Sequence, residues 1–328
     1  MSKTKKRPSG HPARTAAPRN GARPAPGRAP AARPAGPRSA AGAWIAGARI
    51  RTLTLGVAPV AIGTGAGMVA SDFDISKTLV ALCLLVAIFL QIGVNYANDY
   101  SDGVRGTDDV RVGPPRLTGS GLVPAKRVLV VALVFFGLAA ASGLAIVIIT
   151  GHWWLLAVGA AAIAAGWFYT GGKHPYGYYG LGEIFVFAFF GIVATAGTTF
   201  ILAGDVNFEG WLGGVAAGAI ACAVLMANNI RDIDQDRLVK KRTLAVLIGR
   251  TASRILYVFW LLVAYVVLAF FALIYPKAWL VFFTLLLTVP ATIIMFTART
   301  PKEYVTVLKL TSFFGLLYGV GLGLSFAY

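Results

Sequence analysis

Negative charge is what this 328-residue sequence has least of: 13 Asp and Glu stand against 30 Lys and Arg, and no acidic residue precedes Asp72. Charge of either sign is scarce too, at 13%, where soluble domains carry roughly 25%. That excludes an ordinary water-soluble fold. Cysteine is nearly missing. Cys83 and Cys222 both fall inside apolar runs, which leaves no disulfide framework and no zinc-ligand spacing; both read as small core-filling residues. Alternation of polar and apolar residues over about ten positions, the mark of a membrane barrel, is missing as well.

What is there instead is apolar length. Hydrophobic residues make up 57% of the chain, in continuous runs rich in Leu, Val, Ala and Gly. Each is long enough to cross roughly 30 Å of hydrocarbon. About nine spans are predicted, near 44–70, 77–100, 126–150, 152–171, 181–203, 210–230, 253–275, 277–298 and 304–326. The fold class is therefore all-α, a polytopic membrane bundle over residues 41–328. Residues 1–40 differ sharply. They combine Arg and Lys with Pro, Ala, Gly and Ser, a composition that cannot bury enough apolar surface to offset its ordering entropy. A disordered basic tail is expected there, without the short apolar core of a secretory signal. It is read as a cytoplasmic tether that helps set topology, with no nucleic-acid partner expected.

The loops alternate in character. Those around 71–77, 150–152, 204–210 and 275–277 carry two lysines and several acids. The other set carries Arg105, Arg116, Lys126, Lys173, Arg237, Lys241 and Arg299, among others. The positive-inside rule places this second set and the N-terminus in the cytoplasm, and an odd number of spans puts the C-terminus outside. A multi-pass protein of the cell membrane is the expectation, with its chemistry at the cytoplasmic face.

Two acidic clusters lie at that face. The second span ends in Asn95-Tyr-Ala-Asn98-Asp99-Tyr-Ser-Asp102, with Asp108 and Asp109 beyond, and the sixth in Asn228-Asn229-Ile-Arg231-Asp232-Ile-Asp234-Gln-Asp236. Residues four apart on a helix share a face. Asn98 and Asp102 therefore form one stripe with Asp99 beside it, and Asn228, Asp232 and Asp236 form a second, while Asp234 points elsewhere. Carboxylates this close repel one another beside a membrane, so a cation belongs between them. The donors are all oxygens, which suits a hard ion such as Mg²⁺.

Basic side chains flank both clusters. Arg49 and Arg51 enter the first span, Arg116 lies on a Gly/Pro-rich loop, and Lys241 follows the second cluster. Basic groups together with Mg²⁺ are what a diphosphate needs. A third segment, Tyr169-Thr-Gly-Gly-Lys173-His-Pro-Tyr-Gly-Tyr-Tyr-Gly-Leu-Gly-Glu183, offers Tyr169 to an electron-poor carbon by cation–π attraction and Lys173 to a phosphate oxygen.

These motifs resemble the UbiA superfamily of intramembrane aromatic prenyltransferases, over about residues 44–328. The resemblance implies nine transmembrane helices with Asp-rich motifs on the second and sixth. Asn98 and Asp102 match the first two positions of Asn-x3-Asp-x3-Asp, Asp232 and Asp236 match Asp-x3-Asp, and Tyr169 and Lys173 match Tyr-x3-Lys. The third position of the first motif is Gly106, and the nearest carboxylate is Asp108. That departure, with Arg51-Thr-Leu, Arg116-Leu-Thr-x-Ser-Gly and Gly180-Leu-Gly-Glu183, is similar to the branch acting on 1,4-dihydroxy-2-naphthoate. The resemblance implies a polyprenyl diphosphate as co-substrate, with diphosphate and CO₂ released. It implies metal ligands among Asn98, Asp99, Asp102, Asp108, Asp232 and Asp236. Arg51, Arg116, Lys173 and Lys241 would hold the diphosphate, and Tyr169, Lys173 and Asp232 would carry the chemistry. Other acceptors stay open (a hydroxybenzoate, homogentisate or a sugar phosphate), as does an ion-coupled transporter.

Overall fold

The computed structural model describes residues 40–107 and 116–327. The tail and Asp108 lie outside the described residues, and all secondary structure within them is helical. Among the described residues, nine long helical segments follow one another: α1 (Ala41–Ala70), α2 (Lys77–Val104), α3 (Ala125–Thr150), α4 (Leu155–Phe168), α5 (Gly182–Ala203), α6 (Phe208–Leu238), α7 (Leu244–Ile274), α8 (Pro276–Thr297) and α9 (Pro301–Ala327). Eight are long and apolar enough to cross a membrane, and α4 is shorter. Its 14 residues span only about 21 Å.

Contacts at the two ends of α4 show that it runs the depth of the bundle nonetheless. Before it, Trp154 packs edge-on against Phe200 near the end of α5, ring centroids 5.1 Å apart. After it, the Thr170 hydroxyl donates to Asn98 Oδ1 at the other end of the bundle, 2.7 Å away. The flanking residues complete the crossing. The ends of α2, α4 and α6 are thereby gathered at one face.

α6 is the central helix: 78% of its most apolar window is buried, against 50% or less in the others. Its run of Gly and Ala explains this, since small residues let helix backbones approach closely in lipid. A Cβ added at Gly191 of α5 would lie 2.5 Å from Gly218 Cα of α6. One at Gly65 of α1 would overlap the carbonyl of Gly323 on α9. Gly191→Leu or Gly323→Val is expected to lower the thermal midpoint of the detergent-solubilised protein by several degrees, since overpacking costs about 1–3 kcal/mol; an unchanged midpoint would contradict this packing.

Three departures from regular α-helix shape the interior. α1 bends at Arg49, which sits at φ 52 between helical pieces Ala40–Ala48 and Ile50–Ala70. The Ala48 carbonyl beside the bend accepts from Asn95 Nδ2 at 2.9 Å, as a polar group in an apolar setting requires. α5 contains a π-helical stretch, Phe187–Val193, and Phe189, Phe190 and Val193 of that stretch line an interior cavity. α6 continues eight residues past its expected end near 230, to Leu238. Asp232 and Asp236 are therefore carried on the helix itself.

Candidate active site

A cavity of about 500 Å³ opens among α1 to α6 at the face where the acidic clusters lie. Asn98 and Asp102 reach it from α2, Asn228, Asn229, Asp232 and Asp236 from α6. These residues are far apart in sequence and meet because α2 and α6 both end at this face.

The first cluster is held by neighbours. Asp102 Oδ2 accepts from Arg116 Nη1 at 2.8 Å, and Oδ1 from the Tyr178 hydroxyl at 2.8 Å. Burial, then the Asp102 charge, pushes the Tyr178 phenol up from its usual value, so it remains a proton donor at neutral pH. Arg116 Nη1 also donates to the Asn98 carbonyl at 3.0 Å. In the second cluster, Asp232 accepts two bonds from Arg231, at 2.7 and 2.5 Å. Asp236 pairs with Lys241 Nζ at 3.8 Å. Asp234 is exposed and pairs with Arg250 at 2.8 Å.

The structure treats the other sequence-derived candidates differently. Asp99 does not line the cavity; its oxygens accept from the Leu117 and Thr118 amides at 3.0 and 2.9 Å. Arg51 is exposed and Arg49 lines the cavity in its place, because the bend at Arg49 resets the helical phase. Lys173 is exposed and away from the lining. Its loop is instead tied to α2 by Arg105, whose guanidinium donates to the Thr170 and Gly172 carbonyls. Tyr169 and Lys241 do line the cavity, Tyr169 lying edge-on to Tyr176 with centroids 5.5 Å apart.

Tyr178 and Arg231 were not among the sequence candidates. Tyr178 carried a signal in its Gly/Tyr-rich loop. Arg231 carried one in its place between two stripe residues. Thr170 carried none, because its role depends wholly on where α4 ends.

The donor set fits Mg²⁺. It is all oxygen, and two half-sites face one cavity. Among the described residues no three Asp, Glu, His or Cys side chains gather into a closed cage. Mg²⁺ does not require one, since it keeps several waters and takes one or two carboxylates plus substrate phosphates.

Below this polar end the cavity is apolar. Asp102 and Cys83 of α2 both line it, and the helix between them is roughly 28 Å long at 1.5 Å per residue. Leu90, Ala139, Gly143 and Ile201 form part of its wall. Fold and site together define an integral membrane protein whose cavity has a mouth lined by carboxylates and basic side chains over a long apolar channel. The chain belongs to the UbiA prenyltransferase family, whose pattern matches residues 57–326. A 1,4-dihydroxy-2-naphthoate octaprenyltransferase of Mycobacterium tuberculosis is 51% identical over 214 residues, covering 65% of this chain and 72% of that protein. The protein of the same name from Haemophilus influenzae is 33% identical, covering 84% and 93%. The structure of a UbiA homolog from Archaeoglobus fulgidus bound to DMAPP and Mg²⁺ matches with TM-score 0.60 at 16% identity, covering 85% of this chain and 98% of that one; this likeness is one of fold.

Proposed function

We propose that this protein transfers a polyprenyl group from a polyprenyl diphosphate to 1,4-dihydroxy-2-naphthoate, with Mg²⁺, releasing diphosphate and CO₂ to give demethylmenaquinone. The observation that carries this reading is the cavity itself. Its mouth joins Asn98, Asp102, Asp232 and Asp236 to Arg116 and Lys241, and its body is an apolar channel about as long as a bilayer is thick. The naphthoate acceptor is supported by the names of the relatives.

Asn98, Asp102, Asp232 and Asp236 would hold the metal. Bound there, Mg²⁺ supplies Lewis-acid neutralisation of the departing diphosphate. Arg116 and Lys241 hold phosphate oxygens as negative charge builds on them. The allylic C–O bond breaks with its electron pair leaving on the diphosphate. The channel wall keeps water from the resulting carbocation, and the Tyr169 ring faces it. The naphthol ring carbon bearing the carboxylate attacks to form the new C–C bond. Loss of CO₂ returns an electron pair to the ring and restores its aromaticity. Lys173 and Arg51 take no part in this reading.

The carboxylates sit at helix ends on one face. A transporter would place them at mid-depth, where helices break. The same face carries Arg105, Lys126, Arg237 and Lys302, which supports a cytoplasmic site in the cell membrane. The test incubates purified protein with labelled polyprenyl diphosphate and 1,4-dihydroxy-2-naphthoate and follows prenylated product and CO₂. Both are expected in Mg²⁺ and neither after chelation. Prenylation of 4-hydroxybenzoate or homogentisate in preference to the naphthoate would overturn the acceptor assignment.

A further inference from the structure

Among the described residues of the first cluster, Asp99 is the acidic one that the proposed reaction leaves without a role. Its side chain is 1% exposed and absent from the cavity lining. Each of its oxygens accepts one bond, Oδ2 from the Leu117 amide at 3.0 Å and Oδ1 from the Thr118 amide at 2.9 Å. Burying a carboxylate is costly unless its oxygens are satisfied, and bonds from N–H to a charged acceptor are the strong kind.

What this grip holds is the residue immediately before it. Arg116 reaches back to the same turn of α2, to the Asn98 carbonyl and Asp102 Oδ2. The loop has further fixings of its own. Leu117 is buried in a cluster with Tyr96 and Ala43. The Ser120 amide donates to the Arg116 carbonyl at 3.0 Å, and the Val123 amide to the Leu117 carbonyl at 3.2 Å. The loop segment thus closes over the end of α2 as a compact turn, with Asp99 gripping its backbone amides, Asp102 meeting the Arg116 side chain, and the Arg116 guanidinium at the cavity mouth.

We infer that Asp99 is a positioning residue for the diphosphate, acting through Arg116, and not a metal ligand. The inference rests on the reading of the cavity as a prenyl diphosphate site. An Asp99 carboxylate turned to a metal would abandon two backbone amides in a buried setting. An Asp99 carboxylate left in place fixes the cation that meets the phosphate, and a displacement of about 1 Å there is enough to cost affinity.

The test uses the full chain in detergent with geranyl diphosphate as probe. Affinity in saturating Mg²⁺ is measured by calorimetry for wild type, Asp99→Asn, Arg116→Ala and the double variant. Asp99→Asn is expected to weaken binding roughly tenfold, the scale of losing one bond to a charged group. The double variant is expected to bind no more weakly than Arg116→Ala alone, because both changes act on the same contact. Independent, additive losses would overturn the inference. So would a case in which Asp99→Asn raises the Mg²⁺ requirement more than tenfold and recovers full affinity at high Mg²⁺.

A second measurement needs no variant and stands even if Asp99→Asn does not fold. Hydrogen exchange at the Leu117 and Thr118 amides is followed in wild type before and after adding Mg²⁺ and geranyl diphosphate. Protection is expected to hold or rise; loss of protection would mean that Asp99 leaves the amides for the metal. If wild type fails to bind geranyl diphosphate at all, the functional reading fails. Protection of the two amides in the protein alone would still report the grip on the loop.

Discussion

Asp236→Ala is expected to lower the rate of prenyl transfer at saturating Mg²⁺ by at least about 100-fold, the scale seen when one group stabilising transition-state charge is removed. The same loss is expected for Asp102→Ala, and the two variants differ in what else they disturb. Asp236 pairs with Lys241 at 3.8 Å, a separation longer than a hydrogen bond. Asp102 anchors both Arg116 and Tyr178 at 2.8 Å, and deleting it leaves a buried guanidinium without that carboxylate, which is destabilising. Asp236→Ala is therefore the cleaner experiment. Initial rates are measured with labelled polyprenyl diphosphate, alongside the thermal midpoint, which is expected to stay near wild type. A wild-type rate for Asp236→Ala in Mg²⁺ would remove the metal assignment.

Arg116→Ala is expected to lower kcat/KM for the prenyl diphosphate by about 100-fold, while Lys173→Ala stays within about threefold of wild type. The contrast follows from position. Arg116 is 9% exposed and lines the cavity, whereas Lys173 is exposed and lies outside the lining. An exposed cation away from the reacting groups is screened by water and salt. Arg116→Lys is expected to recover only part of the loss, since Nη1 is committed to the Asn98 carbonyl and Asp102 and an ammonium has no second nitrogen to offer a phosphate. Steady-state kinetics with the naphthoate held saturating measures all three. An equal fall for Lys173→Ala and Arg116→Ala would mean that the loop after α4 closes over the substrate.

Part of this site could be read directly from spacing. Asp232 and Asp236 lie four apart on a helix and face the same way whatever surrounds them, and the same holds for Asn98 and Asp102. Asp99 shows the limit of that argument. It shares a turn with Asp102, so helical phase alone could not separate a cavity-lining carboxylate from one that grips a loop. Only the position of Leu117 and Thr118, 18 and 19 residues later, assigns the two roles. The basic residues were harder still. Arg49 and Arg51 are both near the start of the first span, and a single left-handed residue at Arg49 determines which one meets the cavity. Lys173 and Arg105 both flank the site, and the fold uses Arg105 to tie down a loop.

The scarcity of charge that first marked the chain, with the long continuous apolar runs that stand in its place, determined that it is a helical membrane bundle. In lipid every backbone N–H and C=O must be satisfied within the protein, and continuous apolar runs of this length without barrel alternation do so as helices. They also made the few carboxylates conspicuous, because a charge beside hydrocarbon persists only with a partner. Which carboxylates share a cavity, which cation reaches each of them, and where the apolar channel runs were decided by tertiary structure alone. Those outcomes depend on how α2 and α6 end at a common face and on where the loops between helices settle, and neither is encoded in local periodicity.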